Sequence, residues 1–313
     1  MRILITGGAG FIGSHIVDAY LADGHEVAVV DNLSTGSLGN VPSEALFFGA
    51  DISDARTLNH IFKAFRPDVV SHHAAQISVV ESMHNPSGDA GVNVGGSLNV
   101  WQCARDCGAK RFIFSSSGGA IYGQVSSPLV SEDQPANPLS PYGLSKMAFE
   151  NYLTLLKQFD SPIPVILRYA NVYGPRQGAQ GEAGVISIFS RRLMEDKSCV
   201  IYGNGHMTRD YVFVKDVARA NCAALYAGDG GVFNIGSGEQ TSTVSLYMLI
   251  CELLGISSKN PQYAPERQGE VARISLDCLR AAQTLGWKPT TPLCEGLGQV
   301  LDSLGHTPSL ASA

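Results

Sequence analysis

The sequence lacks the features that mark membrane proteins, nucleic-acid-binding proteins and zinc proteins. No apolar stretch approaches the length of a membrane span, and we expect no separate signal segment before the apolar run that begins at Ile3. The formal net charge of -6 comes without a long run of like charges, which argues against nucleic acid or a membrane surface as partner. Neither a Cys-x-x-Cys pair nor histidines at zinc-ligand spacing occur, so no metal is expected. These absences favour a small-molecule ligand.

Cysteine usage indicates the compartment. The seven cysteines are an odd number and are scattered along the chain, which is not the pattern of a disulfide framework. Reduced thiols are typical of cytosolic proteins. The sequence therefore predicts a cytoplasmic protein.

The fold class follows from composition and pattern. The chain has 313 residues, of which 44% are hydrophobic and 16% charged, as in ordinary globular proteins. This length accommodates one large α/β domain with a smaller partner. Short β-branched runs alternate with amphipathic stretches through the first half of the chain, which predicts a doubly wound parallel sheet, the Rossmann fold.

The same pattern places the elements. Strands are predicted near residues 2–6, 26–31, 46–48, 69–72, 111–115, 164–168 and 232–235. Helices are predicted near residues 11–23, 55–65, 91–107, 141–159, 216–226 and 244–254. After Gly174 the pattern breaks into glycine-rich and polar loops. We therefore expect a cofactor-binding domain over 1–174, to which a segment of about 209–238 returns, and a smaller C-terminal substrate domain over 175–313.

A glycine motif follows the first predicted strand and opens the first predicted helix. Gly7, Gly10 and Gly13 have the spacing that allows a tight turn, lets the backbone approach a pyrophosphate and permits close helix packing. Asp31 ends the next strand, where a carboxylate can accept hydrogen bonds from an adenosine ribose. Because Asp31 would repel a 2′-phosphate, NAD is favoured over NADP.

Asp51 and Ile52 follow the third predicted strand. They are interpreted as contacts to the adenine of the cofactor. The alternative is that Asp51 is an ordinary helix cap.

Tyr142 and Lys146 lie at the start of a predicted helix, where the i and i+4 positions project from one face. A tyrosine with a pKa near ~10 is a poor base at neutral pH. A nearby ammonium and the positive nicotinamide of NAD favour the phenolate, which makes the tyrosine a usable proton acceptor. The spacing alone is common on helices, so its weight depends on the other motifs.

Ser115, Ser116 and Ser117 follow a predicted strand and would bring hydroxyls to the carboxyl edge of the sheet, where ligands of doubly wound folds bind. One of these hydroxyls should hydrogen-bond the reacting oxygen. The alternative is a serine-rich turn, and it has more weight for Ser115 and Ser116 than for Ser117.

Taken together, these motifs resemble the extended short-chain dehydrogenase/reductases, and within them the UDP-glucose 4-epimerases and their close NAD-dependent relatives. The resemblance runs from Ile3 to about Leu297. Besides the motifs above, it includes His73-Ala-Ala, Asn93-Val-x-Gly-x-Leu-Asn, Arg168-Tyr-Ala-Asn-Val-Tyr-Gly-Pro-Arg, Gly203-Asn-Gly, Arg209-Asp-Tyr-Val-x-Val-x-Asp, Asn234-Ile-Gly-Ser-Gly and Arg267-Gln-Gly-Glu270.

The resemblance implies a role for each matching residue. Tyr142 would be the base, Lys146 would bind the nicotinamide ribose and lower the pKa of Tyr142, and Ser117 would bond the sugar oxygen at C4. The implied NAD site comprises Gly7, Gly10, Phe11, Ile12, Gly13, Asp31, Asn32, Leu33, Ser34, Thr35, Gly36, Asp51, Ile52, His73, Ala74, Ala75, Gln76, Asn93, Ser115, Tyr142, Lys146 and Tyr169. The implied substrate site comprises Ser117, Tyr142, Asn171, Val185, Ile201, Tyr202, Arg209, Arg267, Glu270 and Ile274.

Two arginines carry the expected diphosphate contact. Each of Arg209 and Arg267 can bind phosphate oxygens in a forked geometry. The alternative for each is a surface salt bridge.

Ile274 lies four residues after Glu270, at the position that limits the room for a C2 N-acetyl group in the resembling epimerases. It is neither small nor aromatic, which favours the non-acetylated hexose with some tolerance. The choice between a UDP-hexose and a dTDP-hexose stays open.

The resemblance also implies the reaction. Tyr142 takes the proton of the C4 hydroxyl while C4 passes a hydride to NAD, and the 4-keto sugar turns before the hydride returns to its other face. A 4,6-dehydratase is the nearest rival, but it needs an Asp and a Glu where this chain has Gly118 and Gly119. A decarboxylase would need an extra cation that we do not identify. A non-enzymatic NAD-binding regulator would be expected to lose Tyr142 or Lys146.

The oligomeric state is a further expectation from the resemblance. Helices near 91–107 and 141–159 lie where this family pairs into a homodimer through a four-helix bundle. We therefore expect a homodimer.

Overall fold

A parallel sheet forms the centre of the molecule. The computed structural model describes residues 1–159, 162–178, 184–257, 260–265 and 273–306. Within these residues the sheet has seven strands in the order β12-β7-β5-β4-β1-β2-β3, and all neighbours are parallel. Its strands are β1 (Arg2–Thr6), β2 (Glu26–Asp31), β3 (Leu46–Gly49), β4 (Val69–His72), β5 (Arg111–Ser117), β7 (Ile163–Tyr169) and β12 (Val232–Ile235).

The order of the strands fixes where a ligand can bind. The chain proceeds from β1 outward to β2 and β3 on one side, and then returns to place β4, β5 and β7 on the other. The crevice at this reversal, beyond the carboxyl ends of β1 and β4, is where doubly wound sheets bind ligands. The predicted doubly wound parallel sheet is confirmed.

Helices cover both faces of the sheet and extend beyond it. They are α1 (Phe11–Ala22), α2 (Ala55–Phe65), α3 (Val79–His84), α4 (Pro86–Ala90), α5 (Ser97–Asp106), α6 (Gly118–Ile121), α7 (Pro141–Leu156), α8 (Val185–Met194), α9 (Val214–Ala224), α10 (Thr243–Leu253), α11 (Leu279–Thr284) and α12 (Leu293–Ser303). Several begin at a capping side chain. Asp54 accepts the backbone N–H groups of Arg56 and Thr57 at 3.1 Å before α2, and Ser140 accepts that of Gly143 at 3.2 Å in α7.

Two apolar layers lie on opposite faces of the sheet. Because side chains alternate along a strand, Ile3 and Ile5 belong to one layer with α1 and α9, while Leu4 belongs to the other with α2, α5 and α7. All three side chains are 0% exposed. Because of this alternation, the sheet is packed between helices on both faces.

A third apolar cluster lies apart from the two layers. It joins α8, α10 and α12, with Phe189, Leu246 and Val300 among its buried members. The shorter strands are β6 (Leu129–Val130), β8 (Asn171–Tyr173), β9 (Val200–Tyr202), β10 (Thr208–Arg209), β11 (Tyr211–Phe213), β13 (Thr241–Ser242), β14 (Gln262–Ala264) and β15 (Ser275–Leu276). They pair in twos, as β10 with β13, β11 with β8, β14 with β9 and β15 with β6.

The structure differs from the sequence predictions in its helices. The helix predicted over 91–107 is a π-helical turn (Gly91–Gly96) followed by α5. The predictions missed α3, α4, α6, α8, α11 and α12. In the part of the chain that the structure describes, no helix is long and apolar enough to cross a membrane.

Candidate active site

The glycine-rich turn joins β1 to α1 and admits no side chain at two of its positions. Gly7 has a φ of +72°, and a Cβ there would lie 2.6 Å from the backbone nitrogen of Ala74. A Cβ on Gly13 would collide with the carbonyl oxygen of Gly7. The close backbone approach leaves the N-terminus of α1 open to a ligand, as a pyrophosphate site requires.

Asp31 connects the turn to the following loop. Its carboxylate is 8% exposed and accepts the backbone N–H groups of Ala9 at 3.0 Å and Leu33 at 2.8 Å. Gly36 packs so closely on the turn that a Cβ would lie 2.9 Å from the carbonyl carbon of Ala9. The predicted cofactor segment from Asp31 to Gly36 therefore contacts the glycine turn at both of its ends.

Asp51 lies beside this loop, after β3. It accepts the side-chain amide of Asn32 at 2.7 Å and the backbone N–H of Ser53 at 2.8 Å. These hydrogen bonds, the Ser53 N–H foremost, lower the pKa of Asp51. Asp54 rather than Asp51 caps α2, so the cap interpretation of Asp51 is wrong.

The end of β4 supplies a second wall. His73 stacks on Tyr169 with ring centroids 6.4 Å apart and planes at 6°. Thr6 accepts the backbone N–H groups of His73 and Ala74 at 3.2 Å. Burial lowers the pKa of His73 to about 3, so its imidazole is neutral.

Gln76 and Asn93 lock this wall to the π turn. The Asn93 side chain accepts the backbone N–H of Gln76 at 2.9 Å and donates to its carbonyl oxygen at 2.9 Å. Asn93 is 1% exposed. These two hydrogen bonds fix the segment after β4 against the π-helical turn (Gly91–Gly96).

The serine run lies within β5, which extends through Ser117. The alternative of a serine-rich turn at Ser115 and Ser116 is therefore wrong. Ser115 donates its hydroxyl to the carbonyl oxygen of His72 at 3.1 Å. The hydroxyl oxygen of Ser116 is buried without a hydrogen-bond partner among the described residues. Ser117 ends the strand at the sheet edge and is partly exposed.

Helix α7 brings Lys146 to the same edge. Its Nζ donates to the carbonyl oxygen of Ser115 at 3.0 Å and lies 5.9 Å from the centre of the Tyr142 ring. Lys146 is 4% exposed. Burial lowers its pKa to about 8, against the opposing effects of Asp89 and Glu150. A cation held in this way can stabilise a phenolate.

The predicted substrate residues follow β7. Asn171 begins β8, and a Cβ on Gly119 would lie 3.1 Å from its Oδ1, so Asn171 is near the segment after Ser117. Arg209 lies on β10 and donates to the carbonyl oxygen of Thr208 at 2.9 Å.

Other predicted substrate residues differ in exposure. Val185 begins α8 and Tyr202 is 38% exposed, whereas Ile201 is 1% exposed and Ile274 is 2% exposed. Ile201 belongs to the third apolar cluster and Ile274 to a sheet layer. Arg267 and Glu270 lie outside the described residues.

Comparison with known proteins identifies the family. The profile of the NAD dependent epimerase/dehydratase family matches residues 3–236. The chain belongs to this family. The UDP-glucose 4-epimerase of Mycolicibacterium smegmatis is 43% identical over 308 residues, which are 96% of this chain and 98% of the relative.

Two solved structures of the epimerase/dehydratase family are similar over nearly the whole chain. One is a UDP-glucose 4-epimerase with UDP-glucose from Thermotoga maritima, which is 44% identical with a TM-score of 0.95 and covers 97% of this chain and 99% of its own. The other is a UDP-glucose 4-epimerase in complex with NAD from Thermus thermophilus, which is 43% identical with a TM-score of 0.92 and the same coverage. The predicted family is confirmed.

Sequence reasoning missed several buried polar residues that support this site. Asp89 and Ser145 are hydrogen-bonded at 2.6 Å, and Arg168 forms a buried ion pair with Glu150 at 2.5 Å. Only Glu150 could have been found from the sequence. It lies four residues after Lys146 and eight after Tyr142, on the same face of the helix. No pattern pointed to Asp89.

Proposed function

We propose that this chain is an NAD-dependent nucleotide-sugar 4-epimerase of the UDP-glucose/UDP-galactose type. The observation that carries the proposal is the position of Lys146, bonded to Ser115 and 5.9 Å from the Tyr142 ring, at the sheet edge that holds the glycine turn. The identities of 43–44% to UDP-glucose 4-epimerases over 97% of the chain support it. The glycine turn fits NAD. Backbone atoms fill the space where side chains on Gly7 and Gly13 would lie, as in the pyrophosphate-binding turn of Rossmann folds.

Each catalytic residue has a defined task in this proposal. Bound NAD supplies reversible acceptance of a hydride from C4 of the hexose. Tyr142 takes the proton of the C4 hydroxyl, Ser117 holds that oxygen by a hydrogen bond, and Lys146 holds the nicotinamide ribose and favours the phenolate of Tyr142. After the 4-keto sugar turns, Tyr142 returns its proton and C4 is inverted without net oxidation.

The remaining assignments concern binding. We assign the cofactor to the glycine turn, the loop from Asp31 to Gly36, Asp51, Ile52, the wall from His73 to Gln76, Asn93 and Tyr169. We assign the nucleotide sugar to Asn171, Val185, Ile201, Tyr202, Arg209, Arg267, Glu270 and Ile274. Ile201 is buried, so in this assignment it contributes its backbone. Residues 175–313 mainly form the substrate side, while the segment around 209–238 supplies α9 and β12 to the sheet.

The dehydratase alternative conflicts with packing next to Ser117. A Cβ on Gly118 would lie 2.5 Å from a methyl carbon of Leu276, which is 1% exposed. A carboxylate side chain at this position would have to displace Leu276. The pair of acidic residues that elimination needs therefore has no room at Gly118.

We also propose a homodimer that covers an exposed apolar face. Leu144 and Leu155 on α7 are each 53% exposed, and Val80 and Met83 on α3 are 58% and 59% exposed. Helices α3 and α7 pack together, and in this proposal a second copy buries the exposed apolar side chains of both. Light scattering should give a dimer for the native chain and a monomer for Leu144→Glu/Leu155→Glu; a native monomer would refute the dimer.

A cytoplasmic location is proposed on the basis of the thiols. All seven cysteines are unpaired in the structure. Unpaired cysteines are typical of a reducing compartment. Cell fractionation followed by detection of the protein tests the location.

The function is tested by incubating the purified protein with UDP-glucose and, separately, UDP-galactose, dTDP-glucose and the N-acetylated UDP-hexoses. Interconversion of C4 epimers without added NAD and without net NADH is expected. Tyr142→Phe should reduce turnover by ~10²–10⁴-fold, the usual contribution of a positioned acid or base. A 4-keto-6-deoxy product would instead identify a dehydratase, and no turnover of any nucleotide hexose would refute the epimerase.

A further inference from the structure

Asp89 occupies an unusual environment at the end of α4. It is 2% exposed, and its carboxylate accepts three hydrogen bonds from neutral groups. Ser145 Oγ donates at 2.6 Å, Gln76 Nε2 at 2.9 Å and Asn93 Nδ2 at 3.0 Å. These three donors satisfy the oxygen atoms of the buried carboxylate.

The three donors belong to parts of the site that must keep a fixed spacing. Gln76 and Asn93 belong to the wall and π turn assigned to the cofactor, and Ser145 precedes Lys146 on α7. Helix α7 packs against both α4 and the π turn. π-helical turns are frequent at functional sites. The Asp89 carboxylate thus joins the cofactor wall to the helix that carries Tyr142 and Lys146.

The charge of Asp89 is not neutralised by a cation in direct contact. Among the residues that the structure describes, no lysine or arginine forms an ion pair with it. The other carboxylate that acts on Lys146, Glu150, is already paired with Arg168 through Nη2 at 2.5 Å and Nε at 3.0 Å. Lys146 itself donates to a neutral carbonyl oxygen. Two buried opposite charges therefore lie in one packed region without touching.

We infer that Asp89 is a positioning residue for the proposed reaction, whose buried carboxylate is the counter-charge of the Lys146 ammonium and anchors α7 to the cofactor wall. The inference rests on the proposed function. Asp89 acts through Lys146 and Ser145 and is not assigned a contact with substrate.

The charged and titratable groups around Lys146 support this role. Burial lowers the pKa of Lys146, and Asp89 followed by Glu150 opposes that effect. On β4, burial lowers the pKa of His72 well below its ordinary value and that of His73 to about 3, so both are neutral. On β7, Arg168 offsets Glu150. Tyr142 lies on α7 itself, with its ring centre 5.9 Å from Lys146 Nζ. Removal of the Asp89 charge should therefore shift deprotonation of Lys146 to lower pH.

Asp89→Asn separates the charge from the packing. An asparagine has the same shape and can keep hydrogen bonds to all three partners, because the Ser145 hydroxyl can accept as well as donate. A merely structural residue would tolerate this change without altering the titration of Lys146. Asp216→Asn is the matched control, since Asp216 is a 1% exposed carboxylate that lies in α9 and binds Thr290 and Thr291.

Two measurements test the role of Asp89. The first is the pH profile of kcat and KM with UDP-glucose; in Asp89→Asn the alkaline limb of kcat should move down by about half a pH unit or more with KM nearly unchanged. The second needs no turnover and uses the protein as purified. The difference in unfolding free energy between the Lys146 and Lys146→Met forms begins to shrink at the pKa of Lys146 in the folded chain, and this pH should fall when Asp89 is also replaced by Asn.

The outcomes separate this inference from the function. If the native protein turns over no nucleotide hexose, the proposed function fails and the unfolding readout alone decides the role of Asp89. The inference is overturned if Lys146 titrates at the same pH in folded Asp89→Asn as in the native protein. It is also overturned if Asp216→Asn shifts the titration of Lys146 by the same amount. Should Asp89→Asn not fold, Ser145→Ala decides. A lower kcat at unchanged KM supports the anchor, and wild-type kcat overturns it.

Discussion

The carboxylate of Asp31 accepts the backbone N–H of Ala9 at 3.0 Å, across the glycine-rich turn. The same side chain accepts the N–H of Leu33 at 2.8 Å. One carboxylate therefore sets the distance between the turn assigned to the pyrophosphate and the loop assigned to the adenosine ribose. Its negative charge also repels a 2′-phosphate placed beside it.

Asp31→Asn should weaken NAD binding and reduce the preference for NAD over NADP. The amide keeps an oxygen that can accept a hydrogen bond, but it loses the charge that strengthens bonds to ribose hydroxyls. We expect the Kd for NAD to rise about tenfold, which corresponds to about 1.4 kcal/mol. Calorimetric titration of cofactor-depleted protein measures both affinities. Asp54→Asn, at the exposed cap of α2, should leave them unchanged. Equal affinity of the native protein for NAD and NADP would contradict the assignment.

Gly13→Ala should disrupt the cofactor turn, whereas Gly298→Ala should not. Both glycines lie within helices, but a Cβ on Gly13 meets the Gly7 carbonyl while a Cβ on Gly298 meets nothing within 4 Å. Overpacking against backbone costs about 1–3 kcal/mol, and alanine at an open helix position gains about 0.5–1 kcal/mol. Urea unfolding and the NAD retained on purification measure the two effects. Full NAD retention in Gly13→Ala would show that the turn does not hold the cofactor.

The features predicted from sequence are those with local causes. Strands β1, β2 and β4 are runs of β-branched residues, and the turn after β1 has glycine where backbone atoms leave no room. Helix α8 begins with Val185-Ile-Ser-Ile, in which three of four residues are β-branched and have low helix propensity, and packing against α10 stabilises its helical state. The Asp89–Ser145 hydrogen bond joins residues 56 apart. Such pairs depend on how α4 and α7 pack, which no local pattern records.

Lys146 should make the stability of the protein depend on pH. Its pKa of about 8 in the folded chain lies below the ordinary 10.5, so burial of the ammonium opposes folding below about pH 8. Between about pH 8 and 10.5 the unfolded chain binds a proton that the folded chain does not, so the unfolding free energy rises with pH. The two pKa values differ by an amount worth about 3 kcal/mol.

Lys146→Met isolates this contribution from the many other groups that titrate in the same range. The variant should be more stable than the native protein below about pH 8, and the difference should shrink toward pH 10.5. Urea unfolding at a series of pH values measures it, with Lys157→Met, on an exposed turn, as the control. Parallel curves for the native and Lys146→Met proteins would mean that the ammonium is not desolvated.

Ile274→Ala should shift the substrate preference toward N-acetylated UDP-hexoses. Ile274 is 2% exposed and shares an apolar layer with Leu276, whose side chain lies close to Gly118 after the proposed catalytic Ser117. Truncation of Ile274 opens space in this layer beside the position assigned to the hexose. It also removes buried methyl groups, so we expect a loss of about 2–5 kcal/mol in the unfolding free energy.

The decisive quantity is therefore a ratio that lost stability does not change. It is kcat/KM for the N-acetylated hexose divided by kcat/KM for the plain hexose, measured at a temperature where both proteins are folded. We expect it to rise several-fold, since one or a few methylenes in a pocket are worth about 1–3 kcal/mol of discrimination. Ile250→Ala removes the same groups from the separate cluster around α10, where the side chain is 0% exposed, and should leave the ratio unchanged. An unchanged ratio in Ile274→Ala, or the same rise in Ile250→Ala, would place the specificity determinant elsewhere.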